Sequence, residues 1–337
     1  MDTDEQQRNA PSLENVKDAA NALHAIVNET PLLENQEVNA VVFGRLLIKA
    51  ETAQRTGSFK FRGAYNRIRQ MDEGQIKRGV IAYSSGNHAQ AVACAAGLIG
   101  TRSLIVMPED APANKLARTQ ELGAEIVTYD RTVETREDVA DRIGAERNMV
   151  LVPPSEDARV LAGGGTMALE LIEQAARRGA VLDAILVPCG GGGLTAATAL
   201  VCEALSPTTK VYGVEPELFD DTRRSLEAGE RLANPKGRKT ICDAIMTDMP
   251  GELTFSINRD SLAGVLTVSD DDVRSAMRFA FDHFKLVIEP GACVGLAAVL
   301  AGKIDIKDQI IAVIATGGNV DVPSYFTALN TAPLQDL

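Results

Sequence analysis

The stretch Ala184-Ile185-Leu186-Val187-Pro188-Cys189-Gly190-Gly191-Gly192-Gly193-Leu194-Thr195 reads as a short apolar strand, a bare glycine run and the opening of a helix. Four consecutive glycines leave main-chain N–H groups unobstructed, and the start of the following helix adds positive potential, so the run predicts a phosphate cradle. It is no Walker loop, because no Gly-Lys-Ser/Thr follows. The GxGxxG spacing with an acidic residue on the next strand is missing too, which argues against a dinucleotide fold. A flexible glycine turn is the plainer alternative.

Outward from this stretch, similar β-branched apolar runs recur at Val80–Tyr83, Ser103–Met107, Glu125–Tyr129, Met149–Val152, Lys210–Val214, Val265–Val268 and Ile310–Ile314. Between them, apolar residues at helical spacing predict helices over His88–Leu98, Ala113–Leu122, Val133–Ile143, Thr166–Ala176, Leu194–Leu205 and Asp270–Phe284. Such alternation points to an α/β fold of parallel sheets covered by helices on both faces. Parallel sheets collect ligands at the carboxyl ends of their strands. Three polar or glycine-rich clusters stand at such ends: Ser84-Ser85-Gly86-Asn87-His88, Cys189 to Leu194, and Thr316-Gly317-Gly318-Asn319. One pocket assembled from distant segments leaves such a trace.

The 337 residues allow two lobes or one large α/β unit. A net charge of −12, with no Lys/Arg block, argues against nucleic acid or an anionic membrane as partner. Cys94, Cys189, Cys202, Cys242 and Cys293 are scattered singly, without a CxxC, so neither a structural zinc site nor a disulfide framework is expected. The polar, acidic start Met1 to Val16 lacks the apolar segment of a signal peptide. No apolar run approaches the ~18–20 residues of a membrane helix. The expectation is a soluble, cytoplasmic protein.

A second cluster, Thr56-Gly57-Ser58-Phe59-Lys60-Phe61-Arg62-Gly63-Ala64, places a lysine among aromatic and small residues with a cationic neighbour. Desolvation and the Arg62 charge would both favour a neutral, nucleophilic amine, although a surface helix lysine is the commoner case. Together with the serine–asparagine cluster, the tetraglycine run, Glu289-Pro290 and Gly317-Gly318-Asn319-Val320-Asp321, all in this order, the segment resembles the serine/threonine dehydratase and serine racemase family of fold-type-II pyridoxal-phosphate (PLP) enzymes. The resemblance runs from about Ala20 to Asp321.

That resemblance implies two open parallel-sheet lobes: residues 1–78 and 153–337 as a large cofactor-binding domain, and 79–152 as a small mobile domain closing over substrate. It implies that Lys60 carries PLP as a Schiff base and acts as base on the α-proton, with Phe59 against the cofactor ring. Asn87 would hydrogen-bond the phenolic oxygen, Gly190, Gly191, Gly192 and Gly193 would hold the phosphate, and Thr316 would face the pyridine nitrogen. A neutral hydroxyl there leaves the nitrogen unprotonated, which suits loss of a β-hydroxyl; serine or cysteine is commoner in the family. Ser84, Ser85, Asn87 and His88 would grip the substrate carboxylate. Ser85 also matches the opposite-face acid of the racemases, so racemisation stands beside elimination; a hydroxyl capping the following helix is the plainer role.

Glu215-Pro216-Glu217-Leu218-Phe219-Asp220-Asp221 resembles the family's divalent-metal site, with Glu215, the Phe219 carbonyl and Asp221 as ligands for Mg²⁺, Mn²⁺ or Ca²⁺. An acidic helix N-terminus without metal is the alternative. Arg136 matches an arginine that meets dicarboxylates, against a plain solvated arginine paired with its acidic neighbours. Pro153-Pro154-Ser155-Glu156-Asp157 and Asp243-Ala244 depart from the family pattern near the expected pocket. The expected reaction is dehydration and deamination of a small β-hydroxy amino acid such as L-threonine or L-serine to a 2-oxo acid and ammonia. A 3-hydroxyaspartate, phenylserine or hydroxyectoine-pathway dehydratase and a serine racemase are the alternatives. A homodimer or tetramer is expected, without the C-terminal regulatory domain of isoleucine-inhibited dehydratases.

Overall fold

In the computed structural model, residues 10–111 and 113–332 are described; the first nine residues of the acidic N-terminus and residues 333–337 of the expected large domain lie outside them. The strands are β1 (Leu32–Glu34), β2 (Arg45–Ala50), β3 (Val80–Tyr83), β4 (Ser103–Pro108), β5 (Glu125–Tyr129), β6 (Val150–Leu151), β7 (Ala184–Pro188), β8 (Lys210–Pro216), β9 (Gly264–Val268) and β10 (Ile310–Ala315). Six make a sheet in the order β1-β2-β10-β7-β8-β9, and four make a second in the order β5-β4-β3-β6. The smaller sheet draws all its strands from between residues 80 and 151, and the larger one draws on both flanks.

Every ladder is parallel except β1 against β2, where Leu32 pairs with Lys49. The sequence reading missed both of these strands and expected only parallel pairing. Three residues of β1 are too few to show a period of two, and an antiparallel edge strand needs no crossover helix to announce it. A second difference concerns Asp270–Phe284: the α-helix stops at Phe279 and one π-helical turn follows over Ala280–Phe284. Apolar spacing alone does not separate these two windings.

Strand side chains divide by parity, as a sheet covered on both faces requires. Leu46, Ile48, Leu186, Ile311 and Val313 enter one core, while Leu47, Ile185, Val187, Ala312 and Ile314 enter the other. The smaller sheet does the same, with Val80, Ala82 and Ile105 on one face and Ile81, Leu104 and Val106 on the other. Each fully buried aliphatic contributes roughly 1.5–3 kcal/mol, so a one-residue slip in register would be prohibitive.

The helix Lys60–Ile68 is pressed against the long helix Ala158–Arg177 at paired glycines. A Cβ on Gly63 would lie 2.7 Å from the Val160 carbonyl oxygen, and one on Gly163 would lie 2.5 Å from that of Arg62. The two backbones meet because neither carries a side chain at the crossing. Behind the crossing, Arg62 donates to both Glu51 oxygens at 2.8 Å and to Glu170 at 3.0 Å. Lys49 bonds Glu170 at 2.5 Å, and Gln174 and the Thr30 carbonyl at 2.8 Å each. Burial opposes the Arg62 charge, but Glu51 and Glu170 outweigh it and push its pKa up. This closed ion cluster anchors the segment that presents Lys60.

Candidate active site between the two sheets

A cavity of about 190 Å³ lies where the ends of β3, β7 and β10 converge. Its wall includes Phe59, Lys60, Ser84, Ser85, Asn87, His88, Arg136, Gly190, Gly191, Gly192, Gly193 and Thr316. These positions come from segments far apart in the chain. The Phe59 N–H donates to the Thr316 carbonyl at 3.0 Å, and Ser58 bridges to Gly317, which ties the lysine segment to the end of β10.

The glycine run opens the helix Gly193–Leu205. Thr254 donates to the Gly191 carbonyl at 2.6 Å and Asn258 to the Gly192 carbonyl at 3.1 Å, both from the helix Glu252–Ser261. A trans peptide points its N–H opposite its C=O, so engaging these carbonyls on the far side turns the Gly192 and Gly193 N–H groups the other way. Gly192 has φ +82°, and a Cβ there would lie 2.6 Å from Asn258 Nδ2. A side chain would therefore fill the cradle's support and strain the backbone. The donor set suits a phosphate.

Lys60 Nζ donates to the Pro154 carbonyl at 2.8 Å and stands 5.1 Å from the Phe59 ring centroid. Burial, followed by the Arg136 charge, lowers its pKa to about 8. No carboxylate bonds it among the described residues, so an appreciable share of neutral amine exists near neutral pH. Thr316 is buried against the same cavity, and its hydroxyl has no hydrogen bond to the described residues. That leaves a neutral group free for a ring nitrogen. A lowered lysine, a main-chain anion cradle and a free hydroxyl in one cavity fit pyridoxal phosphate.

His88 Nε2 is 2.8 Å from the Val152 carbonyl, so this nitrogen must be the donor. Burial and the Lys60 charge depress its pKa to about 3, and Nδ1 has no partner. A neutral ring with its only proton committed has none to offer a carboxylate; any grip there falls to main-chain N–H groups. The Gly86 N–H bonds Ser84 Oγ at 3.2 Å, and Ser85 faces the cavity. Arg136 begins the helix Arg136–Glu146, lies 5.6 Å from the Tyr83 ring centroid and pairs with Glu137 at 2.7 Å. It is thus both half-exposed and part of the cavity wall, where the plainer sequence reading had it only on the surface.

Glu215, Phe219 and Asp221 do not join the cavity. Glu215 accepts from the Thr222 and Arg223 N–H groups at 2.9 and 3.0 Å. Asp221 accepts from Asn234 at 2.6 Å. Burial, then repulsion from Asp221, raises Glu215 to about 8; burial raises Asp221 to about 6 against the Asn234 bond. Among the described residues no group of three or more His, Cys, Asp or Glu side chains gathers as metal ligands.

Cavity residues that sequence reasoning left without roles include Glu289, Asn319, Lys115, Asp243 and Ser155. Glu289-Pro290 and Asn319 were visible as motif positions, and Ser155 and Asp243 within departures, but Glu289, Asn319 and Asp243 bond partners far apart in sequence. Lys115 from the helix Ala113–Glu121 pairs with Asp243 at 2.8 Å, and both line the cavity. No helix among the described residues is long and apolar enough to cross a membrane.

The family model described as pyridoxal-phosphate dependent enzyme matches residues 24–317. The chain is 41% identical to the L-threo-3-hydroxyaspartate ammonia-lyase of Saccharomyces cerevisiae, over 95% of this chain and 97% of that one. It is 39% identical to the serine racemase of Schizosaccharomyces pombe, covering 94% and 96%. The solved threonine deaminase of T.th. superposes with a TM-score of 0.87 at 43% identity, covering 92% of this chain and 99% of that one.

Proposed function

The chain belongs to the pyridoxal-phosphate-dependent enzymes, in the fold-type-II group of ammonia-lyases and serine racemases, and from that premise we propose that it removes water and then ammonia from a small β-hydroxy amino acid. The observation that carries this reading is Lys60, a lysine with a pKa lowered to about 8, in one cavity with the glycine cradle. When bound, the cofactor supplies an electron sink that acidifies the substrate α-carbon. The N–H groups of Gly190–Gly193 would hold its phosphate, Asn87 would meet its phenolic oxygen, Phe59 would pack on its ring and Thr316 would offer its ring nitrogen a neutral partner. Lys60 would hold its aldehyde and, as a free amine, would take the α-proton at Nζ. Ser84, Ser85 and the main chain at Asn87 and His88 orient the substrate carboxylate. Closure of the 79–152 lobe would exclude water.

Among the substrates left open, Arg136 in the cavity wall favours one with a second carboxylate, 3-hydroxyaspartate, over threonine or serine. The similarity to two L-threo-3-hydroxyaspartate ammonia-lyases points the same way. Purified protein should show a visible absorption band that borohydride abolishes, with the added mass on Lys60. It should release a 2-oxo acid and ammonia fastest from a 3-hydroxyaspartate isomer within a panel including L-serine and L-threonine. Arg136→Ala should raise KM for the dicarboxylate about tenfold, roughly 1.4 kcal/mol, and leave L-threonine unchanged. No absorption band would sink the cofactor assignment. Opposite-enantiomer product without ammonia would replace elimination with racemisation, for which Ser85 in the cavity is the relevant group.

Glu215, the Phe219 carbonyl and Asp221 are proposed to hold Mg²⁺, Mn²⁺ or Ca²⁺, which would relieve the repulsion between the two buried carboxylates. Chelator should lower the parent's Tm and leave an Asp221→Asn variant unmoved. The proposed assembly is a homodimer or tetramer, testable by light scattering.

A further inference from the structure

Asn87 is held at both ends of its amide. Its Oδ1 accepts from Asn319 Nδ2 at 2.7 Å, and its Nδ2 donates to Glu289 Oε1 at 2.5 Å. The direction of this chain is set outside it: Asn319 Nδ2 also donates to the Thr56 carbonyl at 2.7 Å. A main-chain carbonyl only accepts, so the nitrogen of Asn319 must face it and Asn319 must act as donor toward Asn87. Asn87 must in turn present oxygen to Asn319 and nitrogen to Glu289, whose carboxylate accepts. One N–H of Asn87 Nδ2 is then left over, in a residue that lines the cavity.

Glu289 is itself held firmly. It stands at the N-cap position of the helix Pro290–Leu300, its N–H donates to the Gly317 carbonyl at 3.1 Å, and a Cβ on Gly317 would lie 2.4 Å from Glu289 Oε1. Glycine at 317 thus lets the carboxyl reach Asn87. We infer that Glu289 and Asn319 are positioning residues that fix the polarity of Asn87, so that the cavity always meets an amide N–H and never the amide oxygen. An anionic oxygen on the ligand is then favoured at that point and a donor is rejected. The inference rests on reading the cavity as the cofactor site, with the phenolic oxygen as that acceptor. The charged and titratable groups around Glu289 are Asp243 and Lys115, with Lys60, His88 and Arg136 elsewhere on the cavity wall. Burial, against the Asn87 bond, raises Glu289 to about 7, so it keeps an accepting oxygen in either protonation state.

The test is a spectral titration of apoprotein with pyridoxal phosphate, read as a dissociation constant, with Tm recorded for each variant. Glu289→Gln keeps an accepting oxygen and should bind within about threefold of the parent, whereas Glu289→Ala should weaken binding about tenfold, the loss of roughly 1.4 kcal/mol from one hydrogen bond. Asn319→Ala should weaken it similarly. Asn319→Asp sets an acceptor against Asn87 Oδ1, inverts the amide, and should be worse than Asn319→Ala by a further factor of about ten. Equal binding by Asn319→Asp and Asn319→Ala, or failure of Glu289→Gln to exceed Glu289→Ala, overturns the inference. Should Glu289→Ala not fold, the Asn319 pair decides alone. A parent protein that takes up no pyridoxal phosphate defeats the cofactor reading instead, so the two failures are distinct.

Discussion

Lys60 and Arg62 stand two residues apart at the start of one short helix and face opposite surroundings. Behind, Arg62 and Lys49 sit in a cluster where Glu51 and Glu170 supply carboxylates to the buried cations. In front, Lys60 reaches a cavity with one carbonyl as partner and no carboxylate bonded to it among the described residues. Burial lowers both lysines, but Glu170 pulls Lys49 back up, whereas the Arg136 charge pushes Lys60 further down. A buried cation with its counter-ions is architecture. A buried amine without one is held ready to lose its proton, and the same helix achieves both because successive positions point to different sides.

The largest expected effect falls on the front side. Lys60→Ala should cut 2-oxo acid production about ten-thousandfold, roughly 5.5 kcal/mol, in a protein that still folds cooperatively. A variant that keeps its rate would erase the distinction between the two sides. At the back, Glu51→Ala leaves Arg62 with a half-satisfied buried charge and should cost about 4 kcal/mol of stability in a denaturant titration. If it instead lost activity without losing stability, the cluster would be part of the chemistry.

Lys60 should also make the stability of the cofactor-free protein depend on pH. With Lys60 at about 8 when folded and 10.5 as its reference, the unfolded chain binds more protons between these values, so stability should rise with pH across that window. The gain is at most about 3 kcal/mol, and Lys60→Met should abolish it. Persistence of the full rise in that variant would assign it to Lys49 or other groups. The smallest effect concerns the cradle: Gly192→Ala, with φ +82°, should weaken pyridoxal phosphate binding about tenfold, about 1.4 kcal/mol, while leaving the ion cluster intact. Unchanged affinity would show that the run is a turn and not a phosphate site.

Most of the strands were legible because each is a compact apolar run bounded by turn or helix signals. Val80–Tyr83, Glu125–Tyr129 and Ala184–Pro188 begin and end where their composition changes. β1 and β2 were not legible: β1 is three residues long, and nothing in Leu32–Glu34 announces an antiparallel partner. Lys60 and the glycine run stood out as candidates on local composition, and Asn87 as part of a polar cluster at a strand end whose role came only from the family resemblance. Glu289 and Asn319 could be quoted as motif positions but not given work, since each acts through Asn87, some two hundred residues away in sequence.

The amino-acid sequence alone thus determined the α/β alternation, a bare glycine run at a helix start and a lysine in apolar company, all of which follow from short-range chemistry. Tertiary structure alone decided which buried cation keeps its counter-ions, which way the Asn87 amide points, and that Arg136 reaches the cavity wall. The physical reason is range. Propensity and backbone access are properties of neighbours along the chain, whereas desolvation, ion pairing and hydrogen-bond direction depend on groups that only folding brings together.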